Sequence, residues 1–140
     1  MRGKNFLLTI LRLACEREEI RIVDDQIGAP TWSRAIAEIT AHILSNDYNA
    51  LSAKSGIYNL TASGSTTWYG FGKAIMALDP NSREQSCKHI IPIPTSSYPT
   101  PAPRPAYSVL SNSKMKSTFG LVLPDWKKGL KGLLERKKDE

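Results

Sequence analysis

Long apolar runs, paired cysteines, clustered metal ligands and a glycine-rich phosphate loop are all missing from this 140-residue sequence, and each absence removes a class of protein. The longest apolar stretch, Phe6 to Cys15, is interrupted by Thr9 and Arg12. It falls well short of the about 20 residues that cross about 30 Å of hydrocarbon, so no membrane span is expected. Arg2 and Lys4 ahead of that run give a superficial likeness to a signal peptide. Arg12 breaks the run, however, and Glu16, Arg17, Glu18 and Glu19 stand where a small-residue cleavage site belongs. The expectation is a helix in a cytoplasmic protein. Cys15 and Cys87 lie far apart without a Cys-x-x-Cys pairing, which excludes zinc ribbons and thioredoxin-like sites and predicts two reduced thiols. His42 and His89 have no neighbouring ligand at metal spacing, so no metal is expected. No Gly-x-Ser-x-Gly elbow occurs either.

Positive charge is plentiful by contrast. Nineteen Lys and Arg against 13 Asp and Glu give a net +6, which raises the question of an anionic partner. Much of the excess sits in residues 127–138, where Lys127, Lys128, Lys131, Arg136, Lys137 and Lys138 face Glu135 alone. Trp126, Leu130, Leu133 and Leu134 fall at helical spacing in the same segment. The lysines therefore read as the solvated side of a docked helix, and nucleic acid is not expected as a partner.

The local signals describe an α/β chain forming a single domain or fragment over 1–140. Phe6, Ile10, Leu13 and Ala14 give Asn5–Arg17 the pattern of an amphipathic helix. Ile20–Val23 reads as a short strand running into a turn at Asp24-Asp25-Gln26, which Gly28 and Pro30 keep non-helical. Asp24 and Asp25 are expected as turn formers. Thr31 or Ser33 is expected to cap a second helix whose buried face is Ile36, Ile39, Ile43 and Leu44, ending near Ser45-Asn46. Residues 45–55 read as a surface loop, and Gly56–Leu60 as a strand. A turn at Ser63–Thr66 leads into a third helix over roughly 67–78, ended by Asp79-Pro80. His89–Ile93 is another strand candidate. From Pro92 to Pro105 the chain holds six prolines, so it must run extended outside any central sheet strand. Ser111–Phe119 reads as a helix ended by Gly120, and Pro124-Asp125 opens the last helix. Four or five helices and a few short strands are less sheet than a self-sufficient α/β fold needs, as if the chain were part of something.

One apparent catalytic pattern is present, Tyr69-Gly70-Phe71-Gly72-Lys73, which satisfies Tyr-x-x-x-Lys. That spacing sets a phenol and an ammonium on one helical face, where the cation can lower the phenol pKa. With no Gly-x-Gly-x-x-Gly after a strand to hold a dinucleotide, the pair reads as incidental. Residue by residue, the chain shows no complete catalytic apparatus.

The ordered blocks are more specific. Asn5-Phe6 through Leu11-Arg12-Leu13-Ala14, then Val23 through Thr31 as Val-Asp-Asp-Gln-Ile-Gly-Ala-Pro-Thr, resemble the dTDP-4-dehydrorhamnose reductase family. So do Gly56–Leu60, Ala62-Ser63-Gly64, Thr66-Thr67-Trp68, Pro94–Ala102, Arg104-Pro105 and Leu121–Trp126, in family order across nearly the whole chain. The resemblance implies an extended short-chain dehydrogenase that reduces the C4 keto group of dTDP-4-dehydro-L-rhamnose to give dTDP-L-rhamnose for cell-surface polysaccharide. In that family the Rossmann half carries the glycine-rich loop and the catalytic Tyr-x-x-x-Lys, upstream of the Asn-Phe helix. What is expected here is the C-terminal substrate-binding part without the dinucleotide-binding half. NADPH or NADH would serve the complete enzyme, with neither bound by this chain alone and no residue catalytic, Tyr69 and Lys73 included.

The resemblance assigns substrate binding to five positions. Asn5 begins the first helix, where an amide beside free N–H groups suits a diphosphate. Gln26, Gly28 and Thr31 line the turn, with Gly28 permitting close backbone approach and Gln26 able to hydrogen-bond nucleotide or sugar. Arg104 is the cation for the diphosphate, since guanidinium donates two parallel bonds. Each also has a plain structural role open to it: Asn5 a helix cap, Gln26 a turn stabiliser, Arg104 a surface ion pair. Family members often carry an acidic residue a few positions after Pro-Thr, where this chain has Ser33, Arg34 and Ala35. The expected partners are a dTDP-sugar and a Rossmann half, fused or separately encoded. Self-association through an apolar docking face is expected of the isolated chain. The other open reading is a stand-alone nucleotide-sugar binding or regulatory protein.

Overall fold

A computed structural model of the chain describes residues 5–45 and 51–136. Five helices and four short strands occur among them. Helix α1 spans Phe6–Glu16 and strand β1 Glu19–Val23, followed by β2 at Ile27–Gly28 and helix α2 at Ser33–Leu44. Then come β3 at Thr66–Thr67, α3 at Trp68–Leu78, β4 at His89–Ile93, α4 at Ser113–Phe119 and α5 at Trp126–Arg136.

The core lies where α1, β1, α3 and α5 meet. Leu7, Ile10, Leu11 and Ala14 turn one face of α1 inward, against Ile20 and Ile22 of β1, Ile75 of α3 and Trp126, Leu130 and Leu134 of α5. The alternation of β1 puts Ile20 and Ile22 in the core while Glu19 and Arg21 pair in solvent at 2.9 Å. Helix α3 tolerates a glycine at 72 because the helix lies tight against the strand. A Cβ there would stand 2.5 Å from Ile22 Cδ1. Phe6, Phe71 and Trp126 continue the core as a row of rings, with centroids 5.7 and 5.9 Å apart.

Strands β1 and β4 pair in parallel, in a register from Glu19↔His89 to Val23↔Ile93, while β2 and β3 form a two-residue antiparallel ladder with Ile27 opposite Thr67. Pro92 sits in β4 opposite Ile22. Proline is tolerated at a strand edge, and β4 has β1 as its ladder partner among the described residues. The helix ends follow local chemistry. Asn5 Oδ1 accepts from Leu8 N at 2.9 Å, Thr67 Oγ1 from Gly70 N at 3.0 Å and Asp125 Oδ1 from Lys127 N at 2.9 Å. Gly120, at φ +69°, closes α4 in the left-handed conformation.

Several expectations need correction. Gly56–Leu60 is not a strand; hydrogen bonds to residues at and just before the start of α4 stand in place of a ladder. Lys114 Nζ bonds Ile57 O at 2.9 Å and Asn59 donates to Ser111 O at 3.1 Å. Next to it Asn112 reads both backbone groups of Thr61, accepting from N at 3.1 Å and donating to O at 2.8 Å. Neither Thr31 nor Ser33 caps α2. Trp32 holds the cap position without a side-chain bond, and the Thr31 hydroxyl is spent elsewhere. The buried residue of α2 is Ala35, with Ile36, Ile39 and Ile43 half-buried and Leu44 exposed. Helix α4 begins at Ser113, two residues later than expected. In the anticipated 45–55 loop, residues 46–50 lie outside the described residues, and Leu51 and Ser52 form a helical turn.

On α5 the arrangement is as anticipated. Trp126, Leu130 and Leu134 are buried and Lys127, Lys128 and Lys131 exposed, while Lys137 and Lys138 lie outside the described residues. No helix among the described residues is long and apolar enough to cross a membrane.

Burial predicts a sharp contrast between two isoleucines. Ile75→Ala, at a fully buried position, lowers unfolding free energy by about 2–5 kcal/mol, read as a fall in the urea midpoint. Ile57→Ser, at a residue 89% exposed, leaves that midpoint within about 0.5 kcal/mol of the parent.

Candidate functional site

Strand β1 is followed by two adjacent aspartates, and several long-range side-chain hydrogen bonds converge on that turn. Asp24 Oδ1 accepts from the Thr67 hydroxyl at 2.5 Å, which ties β1 to the residue capping α3. Asp25 accepts from Thr95 twice over. The Thr95 backbone N–H bonds both carboxylate oxygens, at 3.0 and 2.9 Å, and the Thr95 hydroxyl donates to Oδ1. Gln26 follows, with Nε2 donating to Thr95 Oγ1 at 3.0 Å. Both aspartates thus act as hydrogen-bond acceptors that fix a turn, not as acids.

The next two residues hold a proline-rich arm. Ile27 N donates to Ala106 O at 2.8 Å, Ser108 N donates back to Ile27 O at 2.9 Å, and Ile27 forms a parallel bridge with Tyr107. A Cβ on Gly28 would come within 3.1 Å of Ser108 Oγ, so the glycine is what lets the arm's exit lie against the turn. Three consecutive residues, Asp25 to Ile27, therefore grip the arm at entry and exit. Between them, Ser96 to Pro105 run exposed over the surface.

The five expected binding residues divide accordingly. Gln26 and Gly28 share the turn, and Arg104 rides the arm that the turn clamps. Arg104 is exposed and makes no ion pair among the described residues. Thr31 is spent on the fold: its hydroxyl donates to Ala29 O at 2.9 Å and accepts from Ala62 N at 3.0 Å. The Asn5 carboxamide oxygen is engaged as the α1 cap, which leaves its Nδ2 hydrogens as the donors a ligand would meet. Asn5 reaches the turn through neighbours. Phe6 lies 4.7 Å from the Trp68 ring, and Thr67 pairs with Ile27.

Thr67, Thr95 and Ser108 were not foreseen. A threonine immediately before the Trp68 helix is a recognisable cap signal. Thr95 and Ser108 carry no local signal, because their partners lie 70 and 81 residues away.

Lys73 Nζ lies over the Tyr69 ring face, 5.5 Å from its centroid, and Tyr69 packs against the core. No group of three His, Cys, Asp or Glu that could hold a metal occurs among the described residues. A separate hollow of about 460 Å³ opens between α2, residues 121–124 and α5, walled by Trp32, Ile39, Val122 and Pro124. It is mostly apolar, with Glu38 and Lys128 also on its lining, and contains none of the five residues.

An α/β chain with this order of helices and short strands has the fold found in the C-terminal part of extended Rossmann-type reductases. A dTDP-4-dehydrorhamnose reductase from Clostridium acetobutylicum superimposes with a TM-score of 0.83 at 29% identity, over 97% of this chain and 45% of that one. The enzyme from Bacillus anthracis, solved in complex with NADP, gives 0.82 at 28% identity, over 97% and 44%. Residues 1–138 match the RmlD substrate binding domain, and the chain belongs to that family. Among curated relatives, the dTDP-4-dehydrorhamnose reductase of Burkholderia thailandensis is 53% identical over 132 residues, covering 90% of this chain. That of Escherichia coli K12 is 42% identical over 141 residues, covering 95%. The chain spans 44% of the length of each of these two relatives.

The Thr95 hydroxyl, and then its backbone N–H, hold the Asp25 carboxyl below its ordinary value of 3.8, against a smaller desolvation effect that acts upward. A depressed carboxyl contributes stability that is fully present above its unfolded pKa and is lost as pH falls through the lower folded value. The contribution of this turn is therefore constant at neutral pH and disappears only below about pH 4. Thr95→Val returns the Asp25 pKa toward 3.8, measured by carboxyl-carbon NMR titration.

Proposed function

We propose that this chain is the sugar-nucleotide-binding portion of a dTDP-4-dehydrorhamnose reductase. Its turn and arm hold a dTDP-sugar while a Rossmann half supplies NAD(P)H and the acid–base groups. The observation that carries this reading is the arm: a ten-residue exposed segment carrying Arg104, closed at its base by the turn that carries Gln26 and Gly28. A guanidinium with no carboxylate partner among the described residues is a donor for a diphosphate. Gln26 supplies a neutral polar contact, the close approach at Gly28 seats the arm against the turn, and Asn5 Nδ2 adds a donor beside the α1 N-terminus. Thr31 supports the site by fixing the chain between the turn and Ala62.

The residues present do not fit a dinucleotide. Gly70 and Gly72 lie within α3, with Gly72 packed on Ile22, so they form no strand-to-helix phosphate loop. No hydride step is therefore assigned to this chain. Its part in the reaction is to bind and orient the sugar so that the keto carbon faces the other half. Ile57, Tyr107 and Leu110, which are 89%, 65% and 50% exposed, are apolar side chains left at the surface of the isolated chain, and docking of that half or self-association would cover such residues.

Titration calorimetry of the 140-residue chain should show dTDP-L-rhamnose binding, a separate assay with NADPH and dTDP-4-dehydro-L-rhamnose should show no NADPH oxidation, and Arg104→Ala should weaken binding about tenfold or more. Absence of binding removes this reading, and NADPH turnover by the chain alone refutes the division of labour. Light scattering across concentration should show association; a monomer throughout argues against the exposed docking face. Reductase activity on adding a separately expressed Rossmann half favours the two-part enzyme over a stand-alone binding protein.

A further inference from the structure

The hydrogen bonds around Thr95 have only one consistent direction. A carboxylate is acceptor-only, so the Thr95 hydroxyl must spend its single proton on Asp25. What remains on Thr95 Oγ1 is acceptor capacity, and the group that meets it is Gln26 Nε2, at 3.0 Å. The Gln26 carboxamide is thereby oriented, with its nitrogen turned into the clasp and its oxygen turned away from it. A free glutamine presents either end to a ligand, whereas this one is set to accept.

We infer that Asp25 and Thr95 are positioning residues that fix the polarity of Gln26, so that the site reads a hydrogen-bond donor on the sugar nucleotide through Gln26 Oε1. The inference rests on the sugar-nucleotide reading above and sharpens it. Gln26 Oε1 is not a phosphate contact, because an oxygen acceptor repels phosphate, and one of the two Nε2 hydrogens is already spent on Thr95. Its partner is an N–H or O–H group, either the imide of the base or a hydroxyl of the sugar. The phosphates fall to Arg104. Because the Thr95 backbone N–H binds the same carboxylate, the clasp also anchors the entry of the arm that carries Arg104, so one pair of residues serves both contacts. The lowered pKa of Asp25 agrees with this direction of donation and keeps the carboxylate ionised at neutral pH.

The test separates the hydroxyl of Thr95 from its bulk. Thr95→Val keeps the shape and removes the relay, and Thr95→Ser restores the hydroxyl. With dTDP-L-rhamnose as the probe, Thr95→Val should weaken the Kd about tenfold while Thr95→Ser stays within about twofold of the parent. The thermal midpoint of Thr95→Ser should match the parent's. Equal binding by Thr95→Val, or failure of Thr95→Ser to restore it, overturns the inference.

Three further ligands locate the donor. If the relay loss is the same for dTDP, and N3-methyl-dTDP binds the parent about tenfold more weakly than dTDP, the imide is the group read. If dTDP binds parent and Thr95→Val equally, and only dTDP-L-rhamnose distinguishes them, it is a sugar hydroxyl. An effect of equal size on inorganic pyrophosphate overturns the acceptor assignment. A ligand-free measurement keeps the result apart from the functional reading. The Gln26 side-chain amide protons should exchange slowly with water in the parent and Thr95→Ser, and rapidly in Thr95→Val. If the parent binds no dTDP-sugar but this difference holds, the relay stands and the ligand reading fails; unchanged exchange in Thr95→Val removes the relay itself.

Discussion

A carboxylate can only accept hydrogen bonds, and β1 is followed by two of them side by side. Asp24 and Asp25 must each find donors, and each finds a threonine hydroxyl from a different part of the chain. Thr67 and Thr95 then behave alike. Having given their proton to an aspartate, each accepts from a third group, Gly70 N in one case and Gln26 Nε2 in the other. One relay fixes the start of α3, which packs through Gly72 and Ile75 onto β1. The other fixes the exit from β4 and the entry of the proline-rich arm. Removing either aspartate would leave a threonine with no fixed direction for its proton, so the turn sets helix, arm and binding residues together.

The same accounting separates the residues that build the site from those that present themselves to a ligand. Thr31 uses its hydroxyl as donor and acceptor within the protein. Asn5 gives its oxygen to a helix cap, which aims its nitrogen outward near α1's first N–H groups. Gln26 gives its nitrogen to Thr95. The two amides therefore offer opposite ends, a donor at Asn5 and an acceptor at Gln26. A nucleoside diphosphate sugar has both kinds of group, phosphate oxygens that need donors and base or sugar hydrogens that need acceptors. In the proposed site, an acceptor beside the donors would set a sugar nucleotide apart from a plain polyphosphate.

How much of this was legible in the sequence depends on the reach of the interaction. Helix α1, the end of α3 at Asp79-Pro80, Gly120 and the apolar stripe of α5 all follow from signals within a few residues, and they stand as read. Residues 56–60 have the composition of a strand, but a strand needs a partner, and here Lys114 donates to Ile57 O and the Asn59 side chain donates to Ser111 O instead. Strands β2 and β3, two residues each, have no pattern of their own. They pair because Asp24 holds Thr67 across 43 residues. Of the site, the motif resemblance reached Gln26, Gly28 and Arg104 as binding residues, and Thr95 only as a member of the Pro94–Ala102 block without a role. No local pattern says which threonine, 70 residues on, will meet an aspartate. The α2 cap failed for a related reason, because Thr31 has a long-range partner in Ala62 that takes its lone pair.

Net positive charge also takes on a different meaning once the residues are placed. Lys127, Lys128 and Lys131 are exposed on α5, and Lys131 reaches Glu135 only at 3.8 Å, so they are flexible cations in high dielectric. Ordering such a side chain on a ligand forfeits up to about 2 kcal/mol of rotamer entropy. Arg104 differs in its backbone. It stands between Pro103 and Pro105, so the chain on either side is held near one φ and Arg104 itself is kept out of the helical region. The arm is also closed at both ends by the turn. Much of the backbone entropy that a loop arginine would lose on binding a diphosphate is thus already removed by the prolines and the clasp. One preorganised fork donor in this position is worth more to a diphosphate than several lysines on a solvated helix.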